Sequence, residues 1–167
     1  MPKQSLLDDH ARILTAVDAN LRMVAGPRPD NFDVMTSKRW AFTREFLRFC
    51  ARDDAQVLSP LTTDRRPEVA AAAIRSRADL DVLVAAFKAH VQRWAGLAEE
   101  SEWRTYVRAT TLLMARIKSH LLAEQQDMYS YLPVQPNMTK LPTTPSNYAR
   151  EAWAIRDAIF TGKADAG

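Results

Sequence analysis

The stretch "IKSHLLAEQQDMYSYL", residues 117–132, places a histidine four residues ahead of a glutamate, and both fall in line with the apolar residues of a helix. An earlier stretch, "LRFCARDDAQVLSPL" at 47–61, has nearly the same layout. There Cys50 stands where His120 stands, and Asp54 stands where Glu124 stands. Two copies of one pattern point to a site built from paired helices.

Outward from these two stretches, the prolines divide the chain. They fall at 2, 27, 29, 60, 67, 133, 136, 142 and 145. Proline is excluded from helix interiors, so the long intervals between them are read as helices and the gaps as turns. No stretch alternates apolar and polar residues as a half-buried strand would. The first helix is expected over 6–25, capped by Ser5 and Asp8, with apolar line Leu6, His10, Ile13, Val17, Leu21 and Val24. The second, over 36–59, carries Trp40, Thr43, Leu47, Cys50, Asp54 and Val57. The third, within 68–98 and opened by Pro67, carries Leu80, Leu83, Phe87, His90, Trp94 and Leu97. Ser76 and Asp79 form a second capping pair, so a break is expected near 76. The fourth, over 102–131 and capped by Ser101, carries Trp103, Tyr106, Thr110, Leu113, Ile117, His120, Glu124, Met128 (or Asp127) and Tyr131.

Four amphipathic helices with short connections predict an all-α fold, an up-down-up-down four-helix bundle over 1–132. Beyond Leu132 the character changes. "PVQPNMTKLPTTPSN" reads as an extended proline-rich strap. "YAREAWAIRDAIF" (148–160) reads as a short fifth helix, with Trp153, Ile155 and Ile159 docking on the bundle or on a partner. The segment 133–167 is thus an appendage, and its helix is where a homodimer or protein partner would attach.

Composition narrows the function. The net charge is only +3 and no five like charges adjoin, which argues against nucleic-acid binding. Arg44, Arg48 and Arg52 line up one turn apart and read as a solvated helix face. A single cysteine rules out an internal disulfide and fits a reducing compartment. With no apolar run of membrane-spanning length and no secretion signal, a cytoplasmic protein is expected. There is no P-loop, G-x-G-x-x-G, H-E-x-x-H or paired Glu-x-x-His, and a bundle core gives little access to a Cys50–His120 nucleophile pair. An enzyme is not expected.

What remains is the set of polar residues on core-facing lines. Burying an ionised carboxylate costs several kcal/mol unless a cation or a good donor compensates it. Asp54 and Glu124 near histidines therefore ask for a metal, and oxygen with imidazole suits iron, manganese or zinc. At 1.5 Å per residue, His10, Cys50, Asp54, His120 and Glu124 all lie roughly 7–17 Å from the end of the bundle where the chain starts. His90 lies roughly 20–33 Å up and is read as structural.

These residues resemble a known family. "LLDDHARIL" is similar to the start of hemerythrin-like (HHE cation-binding) domains. "HLLAEQQDMYSYL" and "CARDDAQVLSPL" resemble the family's two copies of a His-x-x-x-carboxylate helix ending. The resemblance spans about 5–132. It implies a bundle holding non-haem iron, as one ion or a di-iron centre, with His10 and His120 as imidazole ligands and Asp54 and Glu124 as bridging carboxylates. Cys50 occupies a position where the family usually has histidine, and the third helix offers Asp79 in place of its histidine. The implied role is sensing or handling oxygen, nitric oxide, peroxide or iron, with a small diatomic ligand. The alternative is a metal-free bundle that serves as a protein-interaction or regulatory module.

Overall fold

The computed structural model describes residues 2–96 and 99–132, together with Trp153, Ile155, Arg156 and residues 158–160; side chains are described from Ser5 onward. All regular structure among these residues is helical. Four long helices carry the chain: α1 (Pro2–Ala25), α2 (Asp33–Asp53), α3 (Pro67–Arg93) and α4 (Trp103–Asp127). The first packs against both α2 and α4, and α3 packs against α4. None of these helices is long and apolar enough to cross a membrane.

The expected stripes form the core. Leu6, Ile13, Val17 and Val24 of α1 are buried, as are Leu80, Leu83 and Phe87 of α3 and Leu113 and Ile117 of α4. Phe42 and Phe46 stack with ring centroids 5.8 Å apart, and Phe87 meets Phe46 edge-on at 5.0 Å. Each such buried ring contributes about 1.5–3 kcal/mol relative to exposure, so this triplet fastens α2 to α3. At the chain-start end Arg52 pairs with Asp9 and donates to Ser5 Oγ at 2.7 Å, tying α2 to α1. Ser5 is therefore an inter-helix acceptor and not the expected cap, and α1 begins earlier, at Pro2.

The second helix does not end cleanly. It runs on through a π turn, Asp54–Leu58, and a last α turn, Ser59–Leu61. The Ser59 N–H donates to the Asp54 carbonyl, five residues back. Pro60 accounts for this widening. It has no N–H for the carbonyl four residues before it, and its ring crowds that carbonyl. Regular spacing resumes where Thr62 N–H reaches the Leu58 carbonyl at 3.1 Å. One extra residue rotates the remainder of the helix by about 100°, so Val57 and Leu58 both turn inward.

Other boundaries differ from expectation for local reasons. The third helix is unbroken through Ser76, because Asp79 spends its carboxylate on another helix and not on a cap. Ser101 lies within a 3-10 turn, Glu100–Glu102, and caps nothing by its side chain. Tyr129 turns inward and Tyr131 outward, because a 3-10 turn, Tyr129–Tyr131, ends the α4 periodicity. Leu97 and the strap over 133–147 lie outside the described residues.

Near the C-terminus, Ile155, Ala158 and Ile159 belong to the main core. Ile159 shares a small cavity with Arg39 and Thr43 of α2 and with Phe87 and His90 of α3. Trp153, expected to dock on the bundle or on a partner, is 65% exposed on the bundle. The helical turn presents Ile155 and Ile159 inward, which leaves Trp153 outside beside Arg156. Replacing Ile159 with alanine is therefore expected to cost about 2–4 kcal/mol, whereas Trp153→Ala should stay within about 0.5 kcal/mol. Chemical denaturation of both variants checks this pair.

Candidate metal centre

His120 sits one turn before Glu124 on the inner face of α4, so regular helical spacing alone brings the two side chains together. Its Nε2 lies 3.1 Å from Glu124 Oε2, with both side chains essentially buried. Its other ring nitrogen, Nδ1, donates to Asp79 Oδ2 of α3 at 2.6 Å. A carboxylate accepts only, so Nδ1 carries a proton, and Nε2 is the nitrogen turned toward Glu124. Two lone-pair carriers at that separation repel unless a proton or a cation stands between them.

Asp53 supplies the second carboxyl, 1% exposed, and faces Glu124. Burial raises the pKa of Asp53 well above the usual carboxylate range, reinforced by its contact with Glu124 and by that residue's charge. Burial also raises Glu124, and the contact with Asp53 partly offsets this. Neither oxygen of either carboxyl is in a well-formed hydrogen bond, nor is Nε2 of His120. Tyr129 stands over the pair, its phenol pushed upward by burial and by the two acids.

The five expected ligands are thus placed differently. His120 and Glu124 come together as expected. Cys50 is fully buried beside the acids, and burial followed by the charges of Asp53 and Glu124 keeps its thiol protonated. Asp54 does not join the pair: its Oδ1 meets Arg77 Nε at 2.8 Å, on a side chain one-quarter exposed. Its neighbour Asp53 takes the inward place, one turn beyond Cys50 by a step of three, and the π turn carries Asp54 to the edge. His10 is buried at the same level, but its Nε2 bonds the Leu121 carbonyl at 2.6 Å. Burial lowers its pKa, so this is a neutral ring donating to a backbone acceptor. It packs edge-on against Tyr129 at 5.4 Å, one ring away from Asp53. His90 is remote, bonded to Thr110 at 3.1 Å and stacked on Tyr106.

Asp53, Tyr129 and the orienting role of Asp79 were not foreseen. Only Pro60 hinted at the first, by marking where helical spacing had to slip.

A cleft of about 460 Å³ opens between α3 and α4, lined by Ser76, Asp79, Leu83, Arg116, His120, Glu124, Asp127 and others. Its lining includes His120 and Glu124, so the buried pair lies directly beneath this part of the surface. The chain matches no family model, no curated protein and no solved structure. The reading of the site therefore stands on its residues.

The donors fit a metal by type. Two ligands at right angles, each about 2.1 Å from one ion, lie about 3.0 Å apart. The 3.1 Å between Nε2 and Oε2 is that spacing. Histidine ligands usually give their other N–H to a carboxylate, as His120 gives Nδ1–H to Asp79. Among the described residues, no three His, Cys, Asp or Glu side chains are gathered as a bound ion would gather them. Without a cation there, burial and mutual contact favour the protonated forms of Asp53 and Glu124.

That arrangement has a pH signature. A carboxyl whose pKa is raised by folding keeps its proton in the folded state and releases it on unfolding. Its contribution is full below the unfolded value of 3.8 for Asp53 and is lost as pH rises toward the folded value. In metal-free protein, the stability of wild type relative to Asp53→Asn should therefore fall with rising pH above about 4, by at most ~1.4 kcal/mol per unit. Urea midpoints of the two proteins across pH 4–8 test it, and a flat difference would mean that Asp53 is not held as the acid.

Proposed function

We propose that the chain is a hemerythrin-like four-helix bundle, up-down-up-down, that holds a non-haem metal between α2 and α4 and handles a small diatomic molecule there. Oxygen and imidazole donors favour iron, as one ion or a pair. The observation that carries this reading is His120 Nε2 held 3.1 Å from Glu124 inside the core, with Nδ1 engaged by Asp79. Evolution toward plain stability would replace such a buried pair with apolar side chains.

Each residue then has a part. Glu124 and Asp53 are the carboxylate donors, and His120 is the imidazole donor. Asp79 orients the ring from α3, where the family pattern would supply a histidine. His10 and Tyr129 wall the site and shape its interior side. Cys50 lies within the site's electrostatic reach and is the position where a further imidazole is missing. Iron, when bound, would supply an open coordination position for a small molecule, and the α3–α4 cleft supplies the route to it.

A second reading keeps the bundle but not the metal. Trp153 and Phe160 are 65% and 49% exposed, and Arg156 lies over both rings. Such an aromatic surface suits a protein partner, and the acid pair would then survive by sharing its proton.

Elemental analysis of protein purified with iron supplied separates the two. Wild type should carry metal and melt higher with it. His120→Gln and Asp53→Asn should lose it, Asp79→Asn should bind about 10–100-fold more weakly, and Asp54→Asn should bind normally. Cys50→His should be about 1–3 kcal/mol less stable without metal, from overpacking, and should recover that loss with iron. A metal-free wild type of ordinary stability, with Cys50→His indifferent to iron, would leave the second reading standing.

A further inference from the structure

At the end of the molecule remote from the acids lies a polar site of opposite sign. Arg39 of α2 is only 6% exposed. Its Nη2 donates to the Trp94 carbonyl at 3.0 Å, while Nη1 has no hydrogen-bond partner. Guanidinium does not lose its charge in proteins, even though burial pulls the pKa of Arg39 down. Trp94 caps the C-terminal end of α3, so that helix's negative pole offsets about half a charge. Among the described residues no carboxylate matches the rest.

The cavity beside it measures about 20 Å³, room for a single occupant of roughly the size of a water molecule. Among the described residues its polar lining is Asn20, Arg39, Thr43, His90, Tyr106 and Thr110, without a carboxylate. Thr43 already gives its hydroxyl proton to the Arg39 carbonyl, at 2.9 Å. A buried charge left unpaired costs several kcal/mol, and a water does not neutralise it. A tetrahedral oxyanion is too large for this space, whereas a monatomic anion is not.

We infer that this cavity is a binding site for one halide ion, chloride under ordinary conditions, held by Arg39 Nη1 and closed over by Ile159. The site does not depend on the metal reading and lies at the other end of the helices. An ion held there would act as a structural counter-ion joining α2, α3, α4 and the C-terminal turn.

The test replaces methanesulfonate with chloride or bromide at constant ionic strength and follows thermal unfolding of the full chain. Halide should raise the melting temperature with the logarithm of its concentration above Kd, reducing the unfolding constant about 100-fold at a hundred times Kd. Arg39→Met, similar in length but uncharged, should melt independently of halide. Crystals grown in bromide should show an anomalous peak beside Arg39, which decides the matter even if the variant fails to fold. A wild type indifferent to halide, a variant that keeps the dependence, or a cavity without bromide density would each overturn the proposal and leave water as the occupant.

Discussion

Two carboxyl groups, Asp53 and Glu124, face one another inside an apolar core, and much of the surrounding structure answers to that one constraint. Ionised together, they would repel strongly in a medium that also resists solvating either charge. The fold meets this with His120 at the side of Glu124, the Tyr129 phenol over the pair and a Cys50 thiol that burial keeps protonated. Asp79 then acts from a half-exposed position on α3, turning the ring so that its basic nitrogen faces inward. Burial without a fixed counter-charge is a poor way to gain stability and a good way to keep ligands poised.

The sequence made the helices legible because apolar spacing and proline placement act locally. The lines through Ile13 and Val17, Leu80 and Leu83, and Leu113 and Ile117 are buried as their spacing predicts. His120 and Glu124 were legible for the same reason: a step of four inside a regular helix leaves no choice of face. Asp53 was not, because Asp53 and Asp54 both flank the Cys50 line and only the slip at Pro60 decides between them. Arg39 was missed because a cation on a core-facing line looks like a solvated one until its neighbours are known. Tyr129 was missed because a single 3-10 turn reverses which tyrosine faces inward.

The interior is electrically two-ended. One end concentrates acids that favour a proton or a cation; the other buries a guanidinium among neutral donors. The midsection between them is the phenylalanine triplet and aliphatic residues of all four helices. Because apolar packing separates the two polar sites along the helices, a change in occupancy at one should leave the other's geometry alone.

The buried position of Ile155, Ala158 and Ile159 also bears on the order in which the molecule can be made. Helices α1 to α4 are complete by Asp127, yet the flank around Arg39 and Phe87 stays open until residues near 160 have emerged from the ribosome. At typical rates of synthesis that interval is on the order of seconds, longer than helices need to form and dock. During it the nascent chain carries an apolar seam with a cation beneath it, a surface suited to chaperone capture until Ile155 and Ile159 arrive to plug it.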